Sequence, residues 1–185
     1  GYRLLRGEAL TPALFRARPL EVQHSILSRF ADFFRTLHAL PRDIVSVMGG
    51  IPLTDWTPAQ YAKRYHEVRR AFVAPRIPGA LARDIDGFYE RFAAAHVPMD
   101  TVIHGDVRSG HLLVTPDGVP SGVIDFGYSE LGDSARDVSF FWSYGEKSMR
   151  AFMQAYGADE AVIERSRSHF VRFLADQLHY GIRDG

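Results

Sequence analysis

The chain has no cysteine. That excludes a disulfide framework and any thiolate metal site. It has almost no lysine: of 22 basic residues only Lys63 and Lys147 are lysines, and the rest are arginines. It has no surplus charge of either sign, because 22 acidic residues balance the 22 basic ones. Such a balance gives no broad basic face for a nucleic acid. No apolar run approaches the ~20 residues needed to span a bilayer, and no signal peptide heads the sequence. Neither nucleic acid nor membrane is therefore expected as a partner, and the expected compartment is the cytoplasm. There is no internal repeat and no low-complexity segment.

What is present is an ordinary globular composition. With 185 residues, 46% of them hydrophobic, the chain suffices for one domain with a real core, or for one large piece of a longer protein. It opens on Tyr2-Arg3-Leu4-Leu5, without an initiator Met, as a strand already under way that Arg6-Gly7 ends. The expectation is a fragment of a longer chain.

Most of the sequence has the 3.6-residue period of helices. Thr11-Pro12 is a helix start, a hydroxyl cap followed by proline at the first helical position. A helix over 21–38 has Val22, Ile26, Phe30, Phe33, Phe34 and Leu37 on one face, and Pro41 stops it. Residues 42–55 form a loop containing Gly49-Gly50 and Pro52. Thr57 to Gln60 has capping-box spacing and opens a helix with Tyr61, Tyr65, Val68 and Phe72 as its buried stripe. A third helix carries Leu81, Ile85, Phe88 and Phe92. Aromatic stripes at this spacing are core rather than cofactor surface.

Past Pro98 the period changes. Residues 101–103, 112–114 and 119–124 are short and β-rich, and Pro116-Asp117-Gly118 makes a turn between the last two, which predicts a hairpin. Helices return after Gly132, over 134–142, 146–156 and 159–182, with Asp133 as a cap and Gly157 as a stop. The expected class is α+β: a mainly helical body carrying one small β island whose loops lie at one edge.

The polar residues concentrate in that island. His104-Gly105-Asp106 is followed five residues on by His111, and later by Asp125-Phe126-Gly127. The spacing H-x-D-x-x-x-x-H and then D-F-G parallels the catalytic loop of protein kinases, H-R-D-x-x-x-x-N and then D-F-G, with His111 in place of the asparagine. Phosphoryl transfer needs a carboxylate that orients the attacking hydroxyl and accepts its proton. Asp106, on a tight loop after an apolar strand, suits that role. It also needs magnesium, which prefers oxygen ligands and keeps several waters. Asp125 ends the Gly122-Val123-Ile124 run, where a strand would hold its carboxylate. His111, at the start of the hairpin, would aim a ring nitrogen at a metal position. An imidazole is a softer ligand than an amide oxygen, which favours weaker or water-mediated coordination. Gly105 and Gly127 are expected to let the backbone turn beside each carboxylate.

These motifs resemble those of the aminoglycoside phosphotransferase-like, or choline-kinase-like, small-molecule kinases. That family's signature runs HGD-x-x-x-x-N, an apolar segment, IDFG, and then GD-x-x-x-D. The matching stretches here are HGDVRSGH, VIDFG and Gly132 to Asp137, together with Leu37-His38-Ala39-Leu40-Pro41 for an LHxLP stretch. The resemblance covers nearly the whole chain. It implies a protein-kinase-like C-terminal lobe over 1–185, with residues 1–7 as the end of the hinge strand. Asp106 is then the catalytic base, and His111 and Asp125 stand near magnesium. His104 and Asp137 are expected to shape the loop, His104 through its ring on nearby backbone and Asp137 by accepting backbone N–H bonds. A histidine at position 111 resembles the 2''-aminoglycoside and macrolide branches.

The resemblance also implies what else is needed. There is no Gly-rich phosphate loop, since Gly49-Gly50 does not make one, and neither lysine lies in a V-A-I-K-like strand. A nucleotide-binding N-terminal lobe is thus the expected missing partner, and the fragment alone is expected to be inactive. The donor would be ATP or GTP, the acceptor a small-molecule hydroxyl, with an aminoglycoside antibiotic first. A polycationic acceptor calls for carboxylates. Beyond the DFG these would be Glu130, Glu146 or Asp176, of which Glu146 and Asp176 are the chosen candidates, with Tyr180 on the same helix face as Asp176. A macrolide, choline or homoserine would use the same core chemistry. Two readings come from other classes: a metal-dependent hydrolase holding a transition metal on His104, Asp106, His111 and Asp125, and a catalytically dead binding module with His111 as its lesion.

Overall fold

Helix α2 (Leu20–His38) is the spine of the molecule. The fold is seen in a computed structural model that describes residues 5–44 and 56–184. Ile26, Phe30 and Phe34 of α2 are fully buried. They meet Phe141 and Phe152, whose rings stack at 3.9 Å. Phe152 and Met149 come from α7 (Glu146–Tyr156), and Phe141 from the 3₁₀ segment Ser139–Tyr144. A short α1 (Pro12–Arg16), capped by the Thr11 hydroxyl on Leu14 N–H at 3.1 Å, seats Phe15 in the same core.

The β island consists of two small antiparallel sheets. In one, β1 (Glu8–Ala9), β3 (Leu112–Val114) and β4 (Pro120–Val123) lie in that order, with Ala9 opposite Leu113 and Leu113 opposite Gly122. The expected hairpin is there, and Leu112 and Val114 anchor it in the core. The other sheet pairs β2 (Thr101–Ile103) with β5 (Glu130–Gly132), so that Ile103 stands opposite Glu130. The strand expected at residues 2–5 lies almost wholly outside the described residues; among the described residues β1 is an outer strand of the sheet. Strand β5 was not expected, because three residues carry too little pattern to be seen without their partner.

A second, smaller core joins α3 (Pro58–Arg64) to α5 (Gly79–Ala93) through Tyr61, Tyr65, Tyr89 and Phe92. Here the predicted stripes are rotated. After Tyr65 the helix widens into a π turn (Tyr65–Arg69) before closing as α4 (Arg70–Val73). The wider turn carries Arg69 and Val73 inward and leaves Val68 59% exposed. In α5 the buried residues are Ala82, Tyr89 and Phe92, while Leu81 faces out. The long α8 (Glu160–Asp184) crosses both cores, and α6 (Ser134–Val138) is capped by Asp133 on Ala135 N–H at 3.1 Å. Gly157 ends α7 at φ +82°. The loop containing Gly49-Gly50 lies outside the described residues. Among the described residues no helix is long and apolar enough to cross a membrane.

Candidate active site

The loop after β2 is built around a buried carboxylate. Asp137 of α6 has no exposed surface. Its Oδ2 accepts the backbone N–H of His104 at 2.7 Å and its Oδ1 that of Gly105 at 2.9 Å. His38, from the end of α2, adds Nε2 at 3.0 Å, and the same ring reaches the Tyr156 hydroxyl through Nδ1 at 2.8 Å. Burial pushes the Asp137 carboxyl up, but His38 and the two N–H donors outweigh it and hold it below the usual carboxylate range. Arg136, the preceding residue, grips the Gly105 carbonyl and the carboxylate of Glu130. The loop is therefore held at its N–H groups by an acid and at its carbonyl by a base.

Gly105 must be glycine. Its φ is +82°, and a Cβ would stand 2.1 Å from the carbonyl oxygen of Tyr128. The His104 ring links this loop to the strand end that precedes Asp125. It donates from Nε2 to the Ile124 carbonyl at 2.9 Å and accepts the Asp106 N–H on Nδ1 at 3.2 Å.

His111 stands between the two acidic residues. Its Nδ1 lies 2.6 Å from the Asp106 carbonyl, which can only accept, so the proton is on Nδ1 and Nε2 carries the lone pair. That Nε2 is 3.4 Å from Oδ2 of Asp125, while Nδ1 is 3.7 Å from Oδ2 of Asp106. The ring is buried, whereas the Asp125 side chain is 54% exposed and the Asp106 side chain 32% exposed. Arg108 donates to His111 Nε2 at 3.0 Å and pairs with Asp106 at 3.2 Å. A guanidinium thus sits where lone pairs of both groups converge. Asp125 adopts the left-handed conformation, φ +66° and ψ +61°, alone among the described non-glycine residues. The expected bend at Gly127 is therefore made by Asp125 itself. This turns its carboxylate back toward the hairpin and holds a non-glycine residue in a costly conformation.

A metal fits here on a limited donor set. Ligands at adjacent corners around magnesium at 2.0–2.1 Å stand about 3 Å apart, close to the separation of His111 Nε2 and Asp125 Oδ2. Among the described residues no group of three acidic, histidine or cysteine side chains is assembled for a metal ion. A cation held on so few side chains would take its remaining ligands from phosphate and water.

Beside Asp106 opens a cleft of about 830 Å³, floored by α8 and walled by α3 and the loop after β2. A slightly larger hollow of about 970 Å³ lies between α7 and α8, and none of Asp106, His111 and Asp125 lines it. Of the carboxylates expected to receive a cationic acceptor, Asp176 lines the cleft but is already paired with Arg69 and Arg172. Glu130 is spent on Arg136, and burial holds its carboxyl above the usual range. Glu146 does not line the cleft; it is exposed at the start of α7 and paired with Arg150 at 2.7 Å. Tyr180 does line it.

Several participants escaped the sequence. His38 lay inside the Leu37 to Pro41 motif, yet its target, 99 residues away, was invisible. The Glu130–Arg136 pair and the arginines of α3 and α8 carry no local pattern at all. The abundance of arginine over lysine was the one available signal.

The profile of the APH family, described as the phosphotransferase enzyme family, matches residues 2–170. No curated protein matches the chain. Among solved structures the GDP and kanamycin complex of APH(2")-IIia is similar over 99% of this chain, at TM-score 0.82 and 21% identity. The gentamicin complex of APH(2")-IIa is similar over 97% at TM-score 0.68 and 17% identity. A macrolide 2'-phosphotransferase from Brachybacterium faecium is similar over 98% at TM-score 0.61 and 21% identity. Such identities speak for the fold, that of a kinase-like C-terminal lobe. The chain spans 64%, 63% and 62% of those three proteins respectively.

Proposed function

This chain belongs to the phosphotransferase enzyme family, and from that premise we propose that it is the catalytic and acceptor-binding lobe of a small-molecule O-kinase. The observation that carries the reading is that the Asp106 and Asp125 carboxylates both lie within 4 Å of the buried His111 ring, at 3.7 Å and 3.4 Å, beside a loop fixed by a fully buried carboxylate. The donor is a nucleoside triphosphate, ATP or GTP; structures similar in fold are complexes with GDP and with ATP. Asp106 accepts the proton of the acceptor hydroxyl. The freed oxygen attacks the γ-phosphorus, the bond from that phosphorus to the β–γ bridging oxygen breaks, and nucleoside diphosphate leaves. His111 Nε2 and Asp125 would hold magnesium, which when bound neutralises charge on the phosphates. His104 and Asp137 fix the backbone that aims Asp106. Arg108, which contacts both the Asp106 carboxylate and His111 Nε2, would have to give up the latter contact for His111 to take a metal. The rest of the nucleotide site belongs to a further lobe, and residues 1–185 alone are expected to turn over nucleotide poorly.

The kanamycin and gentamicin complexes of proteins similar in fold support an aminoglycoside as acceptor. The geometry of the cleft does not add to that support, since its acids are matched by arginines. The test is phosphate transfer by the full-length protein from ATP or GTP to a panel of hydroxyl compounds. Asp106→Asn is expected to lower the transfer rate by roughly 10²–10⁴-fold. Transfer by that variant at the unmodified rate would refute the assignment.

A further inference from the structure

The cleft beside Asp106 carries the wrong charge for a polycation. Five arginines line it, at positions 64, 69, 108, 136 and 172, against the two aspartates Asp106 and Asp176. Each acid there is already engaged: Asp106 with Arg108, and Asp176 with both Arg69 and Arg172. Arg136 is answered by Glu130 just outside the lining. That leaves one positive charge unmatched on the Arg69–Asp176–Arg172 group. A second is on Arg64, whose guanidinium lies 5.3 Å from the Trp56 ring and has no carboxylate partner among the described residues.

Arg172 is the informative member. Its side chain is only 12% exposed, its Nη1 donates to Asp176 at 2.8 Å, and its guanidinium lies 4.3 Å from the Tyr61 ring. Its Nε–H is buried without an acceptor. A buried charged donor left open costs free energy unless something completes it. Burial, together with Arg136 and Arg69 nearby, holds the Arg172 guanidinium below its ordinary value, as expected where positive charge is in excess.

Resting on the phosphotransferase reading, we propose that the acceptor is an anionic hydroxyl compound, whose carboxylate or phosphate is held by Arg172 and Arg64. Guanidinium groups match planar or tetrahedral oxyanions through paired N–H donors. Trp56, Tyr61 and Tyr180 also line the cleft and hold these arginines in place by stacking against them. The same charge repels a polyamine.

The experiment uses the full-length protein with magnesium and ATP or GTP. The acceptors are gluconate and glucose 6-phosphate, neutral glucose and sorbitol, and cationic kanamycin and choline. The anionic compounds are expected to exceed the cationic ones in kcat/KM by about tenfold or more. Gluconate against glucose 6-phosphate separates carboxylate from phosphate recognition. Arg172→Gln is expected to raise the KM of the preferred anion by about tenfold. The exposed Arg64→Gln raises it by about threefold and reads the same effect should the Arg172 variant fail to fold. Efficient transfer to kanamycin or choline with the anions inert overturns the charge assignment and leaves the kinase reading standing. If no acceptor is phosphorylated, the kinase reading fails, and calorimetric binding still decides the charge. Gluconate or glucose 6-phosphate bound more tightly than kanamycin supports the anionic cleft, and the reverse overturns it.

Discussion

Replacing Asp137 by asparagine tests the frame of the site without touching its chemistry. The substitution keeps the volume and removes a charge that accepts three hydrogen bonds at 2.7–3.0 Å from His104 N–H, Gly105 N–H and His38. An amide offers one accepting oxygen. Its NH₂ group must face either a backbone N–H or His38, so at least one buried donor loses its acceptor. Hydrogen bonds to charged groups contribute roughly 1.5–3 kcal/mol each, and an orphaned donor costs about 1–3 kcal/mol. The expected loss is therefore about 3–5 kcal/mol, a large part of the roughly 5–15 kcal/mol of a typical domain. With a urea slope of about 1–3 kcal/mol per molar, the unfolding midpoint should fall by about 1–5 M.

The same group gives a pH signature. Its folded carboxyl is held below the unfolded value, so the folded state binds that proton less readily. The stability it confers is complete above about pH 4, the ordinary aspartate range, and fades as pH falls through the folded value. Asp137→Asn should flatten stability against pH in that acid window. A midpoint within about 0.3 M of the parent, with the acid limb unchanged, would refute the clamp.

Other outcomes follow from single distances. Gly105→Ala forces a Cβ into the Tyr128 carbonyl; a loss of roughly 3 kcal/mol is expected in thermal melts, together with loss of phosphate transfer. Asp125→Gly relieves the left-handed φ of +66°; it should raise stability by about 1 kcal/mol while magnesium titration shows transfer abolished, and a destabilised variant would contradict the strain. His111→Ala should weaken apparent magnesium affinity in activity titrations by about tenfold or more, whereas His111→Asn, which restores an amide oxygen at that position, should keep most of it. Arg136→Met strands the buried Glu130 carboxylate and should cost about 3–5 kcal/mol in denaturant unfolding; combining it with Glu130→Leu should recover most of that loss.

Much of the helical body was legible, because α2 and α7 bury a continuous apolar face and a 3.6-residue period survives into the structure. The stripe after Tyr65 was misplaced for a definite reason. A π turn adds a residue to one turn, and nothing in residues 65–69 announces it. The hairpin was legible from its turn residues, whereas β5 exists only because Glu130 to Gly132 finds β2.

The sequence by itself determined that the candidate side chains Asp106, His111 and Asp125 would lie close together, because they sit at fixed spacings on short segments, and short segments leave little freedom. It also pointed to a sharp backbone turn at Gly105, although the Tyr128 carbonyl that leaves no room for a side chain there came into view only with the fold. Only the tertiary structure decided what surrounds those residues. It brought His38 to Asp137 across 99 positions, and Arg136 to the Gly105 carbonyl. It gathered arginines from α3, the π turn, the loop after β2, α6 and α8 into one cleft. Charge balance along a chain is a sum, and that sum is zero here; the field inside a cleft depends on which members of the sum the fold places together.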